Sequence, residues 1–244
     1  MINKKKIEKQ KLYTLNILLS NFNSYSQHFE DFILFYLFYD VEKGFYIDVG
    51  ANDPNFISVT KAFYSRGWHG INIEPLPDKI YSLKKYRKRD INLQLAAGKE
   101  KNISTLIKKG PSGLCSSIIY DKVVNNSIIL NITIEAMKNI CLKYVPKGTT
   151  IDFCKIDVEG EEKNVLLGYD FENFRPKVFC IESLLNKDTN IHEYKNWEFI
   201  LTNNDYVFAF HYLTNRFYYD KRIHGFGNKF DRLEYYITKF KKNK

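Results

Sequence analysis

Apolar residues recur in two rhythms along this chain: a helical one near the start, then short runs that alternate between strand and helix. In residues 27–39, Phe29, Phe32, Ile33, Tyr36 and Leu37 fall at helical spacing and predict a helix. Ser26 stands where an N-cap would, and Glu30 and Asp31 would face the positive end of the helix dipole. Residues 1–20 are basic, then mixed, and also read as helical. Beyond them, Phe45–Val49 and residues 70–73, 91–96, 151–156 and 176–181 are apolar runs with the length of buried strands. Residues 58–66, stopped by Gly67, read as a helix, as do 78–86, 134–143, and 161–167, closed by Gly168. Residues 110–117 form a polar, glycine-bearing loop, 197–203 a last helix, and 205–219 two final strands. This alternation predicts an α/β fold with a doubly wound sheet.

Length and charge refine that picture. A chain of 244 residues suits one sizeable α/β domain. We expect a helical extension over 1–40, the main domain over 41–222 and a basic C-terminal tail over 223–244. Aromatics at 16% argue against a disordered chain. The formal net charge of +9 would suit nucleic acid or an anionic surface. However, lysines cluster at 4–6 and 239–244, where they read as solvated ends, and no basic run interleaves with a nucleic-acid motif. Cys115, Cys141, Cys154 and Cys180 include no Cys-x-x-Cys pair, which argues against zinc. Residues 17–19 are too short an apolar run for a leader, and 32–39 fall well short of the ~20 residues that span a bilayer. A cytoplasmic protein with no transmembrane segment is the expectation.

The candidate chemistry starts at the end of the first strand. Ligands of open parallel sheets bind beyond the carboxyl ends of the strands, where the strand order switches. Asp48-Val-Gly50-Ala51 is where the backbone must turn there; Gly50 lets it approach a ligand closely, and Ala51 adds little bulk. Asp48 in an apolar strand calls for a polar partner, and an ammonium such as that of a methionine moiety is a natural one. Glu74 ends the second strand, and an acid about 20 residues beyond a first glycine turn holds ribose hydroxyls. No G-x-x-x-x-G-K-[ST] loop exists, so an adenosine cofactor without a pyrophosphate fits better than NAD.

Several segments together resemble the FkbM family of methyltransferases. They are Ser26-Gln-His-Phe-Glu-Asp31, Gly44-Phe-Tyr-Ile-Asp-Val-Gly-Ala-Asn52, Gly67-Trp-His-Gly-Ile-Asn-Ile-Glu-Pro75, Leu95-Ala-Ala-Gly98 and Ser112-Gly-Leu-Cys-Ser116. Cys154-Lys-Ile-Asp-Val-Glu-Gly-Glu161, Arg175-Pro-Lys-Val-Phe-Cys-Ile-Glu182 and Asn215-Arg-Phe-Tyr218 complete the set. The resemblance implies a class I methyltransferase, Rossmann-like fold: a seven-stranded, mostly parallel sheet with helices on both faces. It implies S-adenosylmethionine as donor and O-methylation, often of sugars or small metabolites, as in cell-surface polysaccharide biosynthesis. By position it puts Asp48, Gly50, Ala51 and Asn52 along the methionine end of the cofactor, Glu74 and Pro75 at the ribose, and Ala96 and Ala97 beside the adenine. Asp53-Pro54 departs from the family's usual Ile-Gly, and Cys115 from its usual Ser.

Methyl transfer to a hydroxyl requires alignment and removal of a proton. By the strand reading, Asp157, Glu159 and Glu182 stand at the mouth where the base belongs, and Asp157 also borders the cofactor. Either Asp157 or Glu159 is the base, or Asp157 and Glu182 hold a Mg²⁺ that acidifies the hydroxyl; the metal-free route is preferred. Glu159 could instead cap the following helix. Gln27, Glu30 and Asp31 could close over the acceptor, and His211 and Asn215 are further acceptor-side candidates. The expected partner is a small-molecule or glycan hydroxyl. A nucleic-acid methyltransferase and a non-catalytic module with a Rossmann-like pocket are the rival readings.

Overall fold

The computed structural model describes residues 22–108, 117–118, 128–183, 185–186 and 191–242. The predicted helix in 1–20, most of the 110–117 loop and Cys115 lie outside the described residues. In chain order the elements are α1 (Glu30–Phe38), β1 (Phe45–Val49), α2 (Lys61–Ser65), β2 (His69–Ile73), α3 (Pro77–Tyr86), β3 (Ile91–Leu93), β4 (Ala96–Gly98), β5 (Asn102–Lys108) and β6 (Ser117–Ile118). They continue with β7 (Ile128–Ala136), α4 (Met137–Tyr144), β8 (Phe153–Ile156), α5 (Glu162–Leu167), β9 (Val178–Glu182), β10 (Leu185–Asn186), β11 (Ile191–His192), α6 (Glu198–Thr202), β12 (Tyr206–Tyr212), β13 (Asn215–Asp220) and α7 (Phe226–Lys242).

Seven strands form one sheet in the order β12-β13-β9-β8-β1-β2-β3. All neighbours pair in parallel except those of β13, which runs antiparallel to both β9 and β12. The chain lays β1, β2 and β3 outward to one side, then returns to place β8 on the other side of β1. That reversal between β1 and β8 is the switch point where a ligand crevice opens. The order and the single antiparallel strand are those of the class I methyltransferase, Rossmann-like fold.

Strand alternation divides the core into two layers. Phe45, Ile47 and Val49 of β1 and Cys154 and Ile156 of β8 face Met137 and Ile140 of α4, Val165 and Leu166 of α5, and Ile200 and Leu201 of α6. Tyr46, Phe153, Val178 and Cys180 face the other way, onto α1, Phe63, Trp68, and Phe226, Phe230 and Leu233 of α7.

Four sequence expectations need correction. Residues 134–136 are strand, not helix: β7 pairs with β5 over residues 128–134 and with β4 over 134–136, and helix starts only at Met137. The single strand expected over 91–96 splits, because β4 leaves the main sheet to pair with β7 in a second, four-stranded sheet ordered β4-β7-β5-β6. Ser26 does not hold the N-cap position of α1, which Phe29 takes with φ 61°; its hydroxyl still accepts the first-turn Asp31 amide at 3.4 Å and donates to the Asp31 carboxylate at 2.7 Å. The basic segment beyond residue 223 carries the helix α7, seated on the core through Phe226, Phe230 and Leu233, which are 7%, 2% and 2% exposed. Among the described residues no helix is long and apolar enough to cross a membrane.

Candidate active site

Three strand ends meet at the switch point. Gly50 has φ +77°, and a Cβ there would lie 1.8 Å from the Asp157 carbonyl oxygen. The turn after β1 thus needs glycine on two counts, conformation and space. It is stitched to β2 by the Gly50 and Ala51 amides, which both donate to the Ile73 carbonyl, and to β8 by the Asp157 amide, which donates to the Val49 carbonyl at 3.0 Å.

Glu74 is fixed at the end of β2. One carboxylate oxygen accepts the Asn52 amide at 2.8 Å and the other the Leu76 amide at 2.9 Å. Burial raises its pKa, and the two amides offset that only in part. Each oxygen keeps a lone pair, which is what a ribose diol needs.

Asp48 finds its ammonium within the chain. It is buried, accepts the Thr60 hydroxyl at 2.9 Å and lies 3.6 Å from Lys155 Nζ on the adjacent strand. Lys155 Nζ also donates to the Gly50 carbonyl at 2.9 Å and pairs with Asp157 at 3.2 Å. Burial works against its charge, but Asp157 and Asp48 outweigh it and raise its pKa, so the ammonium is permanent. One lysine therefore ties the Gly50 turn to the carboxylate wall.

That wall is compact. One carboxylate oxygen from each of Asp157, Glu159 and Glu182 lies within 4.8 Å of the other two. Burial, then the charge of the neighbouring Asp157, pushes the Glu182 pKa up. Glu159 (φ 55°) and Gly160 (φ 103°) turn the backbone left-handed here. The side chain that holds this turn is Glu162, whose carboxylate accepts the Val158 amide at 3.0 Å and the Gly160 amide at 3.3 Å.

A cleft of about 350 Å³ gathers these groups. Of the expected cofactor residues, Gly50, Asn52, Glu74, Pro75, Ala96, Ala97 and Asp157 line it; Asp48 and Ala51 do not. All three expected catalytic carboxylates line it. On the acceptor side Gln27 does, but Asp31, His211 and Asn215 do not. Asp31 is buried and holds Ser24, Ser26 and the Tyr25 amide; His211 is exposed on β12; Asn215 is buried and donates to Glu30 at 2.6 Å. Their neighbours take those places: His28, with Nδ1 3.2 Å from the Thr214 hydroxyl and 3.6 Å from Glu30, and Thr214 itself. Sequence reasoning missed His28, Thr214 and Lys155. Lys155 had a signal, a lone cation in the apolar run of β8; the other two owe their places to contacts between distant segments.

A search of curated proteins finds no match. Among solved structures, a precorrin-6y C5,15-methyltransferase from Geobacter metallireducens GS-15 aligns at 11% identity and TM-score 0.38, over 78% of this chain and 84% of that one. An RNA methyltransferase candidate from Pyrococcus horikoshii aligns at 11% identity and TM-score 0.40, over 87% of this chain and 98% of that one. The model of the methyltransferase FkbM domain matches residues 48–208, a stretch that holds the Gly50 turn, Glu74 and the three carboxylates. With about two thirds of its length inside that match, the chain belongs to the FkbM methyltransferase family.

Proposed function

We propose that this protein is an S-adenosylmethionine-dependent O-methyltransferase acting on a hydroxyl of a sugar, glycan or small metabolite, as in cell-surface polysaccharide biosynthesis. The observation that carries the reading is the single cleft that joins a glycine turn, a buried ribose-type acid and a carboxylate wall. The donor fits these groups: Glu74 offers two acceptors to a diol, and the Gly50 turn leaves the space that a Cβ would fill. When bound, S-adenosylmethionine supplies an electrophilic methyl group on a sulfonium.

The chain's own residues do the rest. Gly50, Asn52, Glu74, Pro75, Ala96 and Ala97 hold and orient the donor. Asp157 or Glu159 would take the proton that the acceptor hydroxyl gives up when it is methylated. Glu182, its pKa raised by burial and by Asp157, would carry the proton that keeps the wall from repelling itself apart. A divalent cation between Asp157 and Glu182 is the less favoured arrangement, because the Lys155 ammonium and the Glu182 proton already stabilise Asp157. Gln27, His28 and Thr214 bound the cleft with polar groups that suit sugar hydroxyls.

Calorimetry with S-adenosylmethionine and S-adenosylhomocysteine, with and without Mg²⁺, tests the donor. Micromolar binding that is indifferent to Mg²⁺ is the expected result, followed by turnover of a sugar acceptor. No heat with either ligand would remove the donor and leave a non-catalytic pocket.

A further inference from the structure

Glu30 is a buried acid with no part in holding the donor or taking the proton. Both its oxygens are committed on the acceptor side of the cleft. One accepts the His28 amide at 2.9 Å; the other accepts the Asn215 side-chain amide at 2.6 Å and lies 3.6 Å from His28 Nδ1. The sheet fixes where this happens. Asn215 pairs with Glu182 across β13 and β9, and the Ser183 amide donates to the Thr214 carbonyl at 2.7 Å. Glu74 ends β2, which lies beyond β8 and β1 in the strand order. His28 and Thr214 therefore border the carboxylate end of the cleft, not the ribose end.

The pair has a definite set of donors and acceptors. His28 Nδ1 lies 3.2 Å from Thr214 Oγ1, and the Asn215 side-chain amide donates to that same oxygen at 3.1 Å. A bare Nδ1 would turn its lone pair toward Glu30, so the Glu30 carboxylate favours the proton on Nδ1. Nδ1–H then donates to Thr214 Oγ1. Both lone pairs of Oγ1 are filled, and the Thr214 proton is left to donate to a ligand. His28 Nε2 is left with a bare lone pair. Both residues line the cleft, and the His28 side chain is 27% exposed. One acceptor and one donor side by side are the complement of a hydroxyl. A phosphate, which only accepts, or an ammonium, which only donates, satisfies one of them at most. Backbone strain marks the same contact. Phe29 and Leu213, next to His28 and Thr214, are left-handed at φ 61° and 51°. Neither is glycine, and such conformations gather at functional sites, where the surroundings hold them.

We propose that His28 and Thr214, held by Glu30 and Asn215, are a hydroxyl-binding station for the acceptor. The substrate is then a polyol that sets one hydroxyl against the carboxylates and a second on this pair. A simple alcohol or a phenol leaves the pair unsatisfied. This inference rests on the methyltransferase reading.

Long-range proton–nitrogen NMR of the full chain tests the geometry, at about pH 8, where an ordinary imidazole is neutral. The His28→Gln variant assigns the His28 signals among five histidines. His28 should carry its proton on Nδ1, and Glu30→Gln should shift it toward Nε2. Tritium transfer from methyl-labelled S-adenosylmethionine tests the substrate class, over a panel of methyl glycosides and their monodeoxy analogues, with cyclohexanol and phenol as controls. The glycosides should accept and the controls should not. For the best glycoside, loss of one unmethylated hydroxyl should raise KM about fivefold or more in wild type, and no further in His28→Gln. Donor affinity by calorimetry should be the same in both proteins, which a general loosening of the fold would not leave. With the donor bound, a proton on Nε2 in wild type overturns the proposal. So does a control methylated as readily as any glycoside, no transfer to any glycoside, or a deoxy penalty that persists in His28→Gln. S-adenosylmethionine that does not bind at all brings down the methyltransferase reading instead.

Discussion

Gly50 has no room for a side chain, and its φ of +77° is one that L-residues rarely adopt. Gly50→Ala must therefore move the Asp157 backbone or unwind the turn. The left-handed conformation alone costs about 1–2 kcal/mol, and the clash falls on backbone, which cannot swing aside. We expect that variant to lose donor binding as well as melting temperature, both read in one ligand-induced thermal-shift series. Glu74→Ala should instead leave the fold in place and weaken donor binding by ~1–3 kcal/mol, the worth of hydrogen bonds to a buried charged group. Unchanged affinity in calorimetry would take Glu74 out of the site. Both residues were legible in the sequence because each breaks a local rule: a glycine at a strand end, an acid closing an apolar run. Asp48 breaks the same rule, yet it serves Lys155. A pattern shows that a buried charge needs a partner; it does not show whether the partner is a ligand or the next strand.

At the scale of elements, the five central strands and their helices were readable because their apolar runs are bounded by Gly, Pro and acidic turns. The second sheet was not read, although Ile132, Ile134 and Ala136 alternate inward along β7 at 5%, 8% and 2% exposure. The helix expected there took in the apolar tail of β7, and strand prevailed because β4 pairs with that tail while β5 pairs with the rest of β7. α1 is the helix expected within 27–39, although eight of its nine residues are buried rather than one stripe of them. α7 differs most from the expectation of a tail. If it is integral, Phe230→Ala should cost about 3–5 kcal/mol in urea unfolding; a tail residue would cost well under about 0.5 kcal/mol. The turn between β8 and α5 carries a pH signature. Burial raises the Glu162 carboxyl from 4.5 to about 7. The folded state then binds the proton that the unfolded state has released, so this contribution to stability is present below the unfolded pKa and is lost as pH rises toward 7. It amounts to roughly 3 kcal/mol at most. The stability difference between wild type and Glu162→Gln should therefore change across that window and level off above it, as urea midpoints at several pH values would reveal.

Over the whole molecule, a net charge of +9 and an acidic cleft make opposite statements about partners. A positive field draws polyanions to a surface at long range, and salt screens it. An acidic wall of Asp157, Glu159 and Glu161 would repel a phosphate at the point where a methyl group would be delivered. Attraction without admission is the combined result: nucleic acid should bind this protein weakly, on its basic exterior, and never reach the donor. Single-stranded RNA should accordingly show an affinity that falls steeply with salt, in proportion to the phosphates neutralised. The affinity for S-adenosylmethionine should be the same with and without saturating RNA, because the two occupy surfaces of opposite sign. A neutral glycan or polyol meets neither barrier and can place a hydroxyl between the Gln27, His28 and Thr214 side and the carboxylates. RNA that competed with the donor, or that accepted tritium from methyl-labelled donor, would show that phosphates do enter the cleft, and the nucleic-acid reading would displace the glycan one.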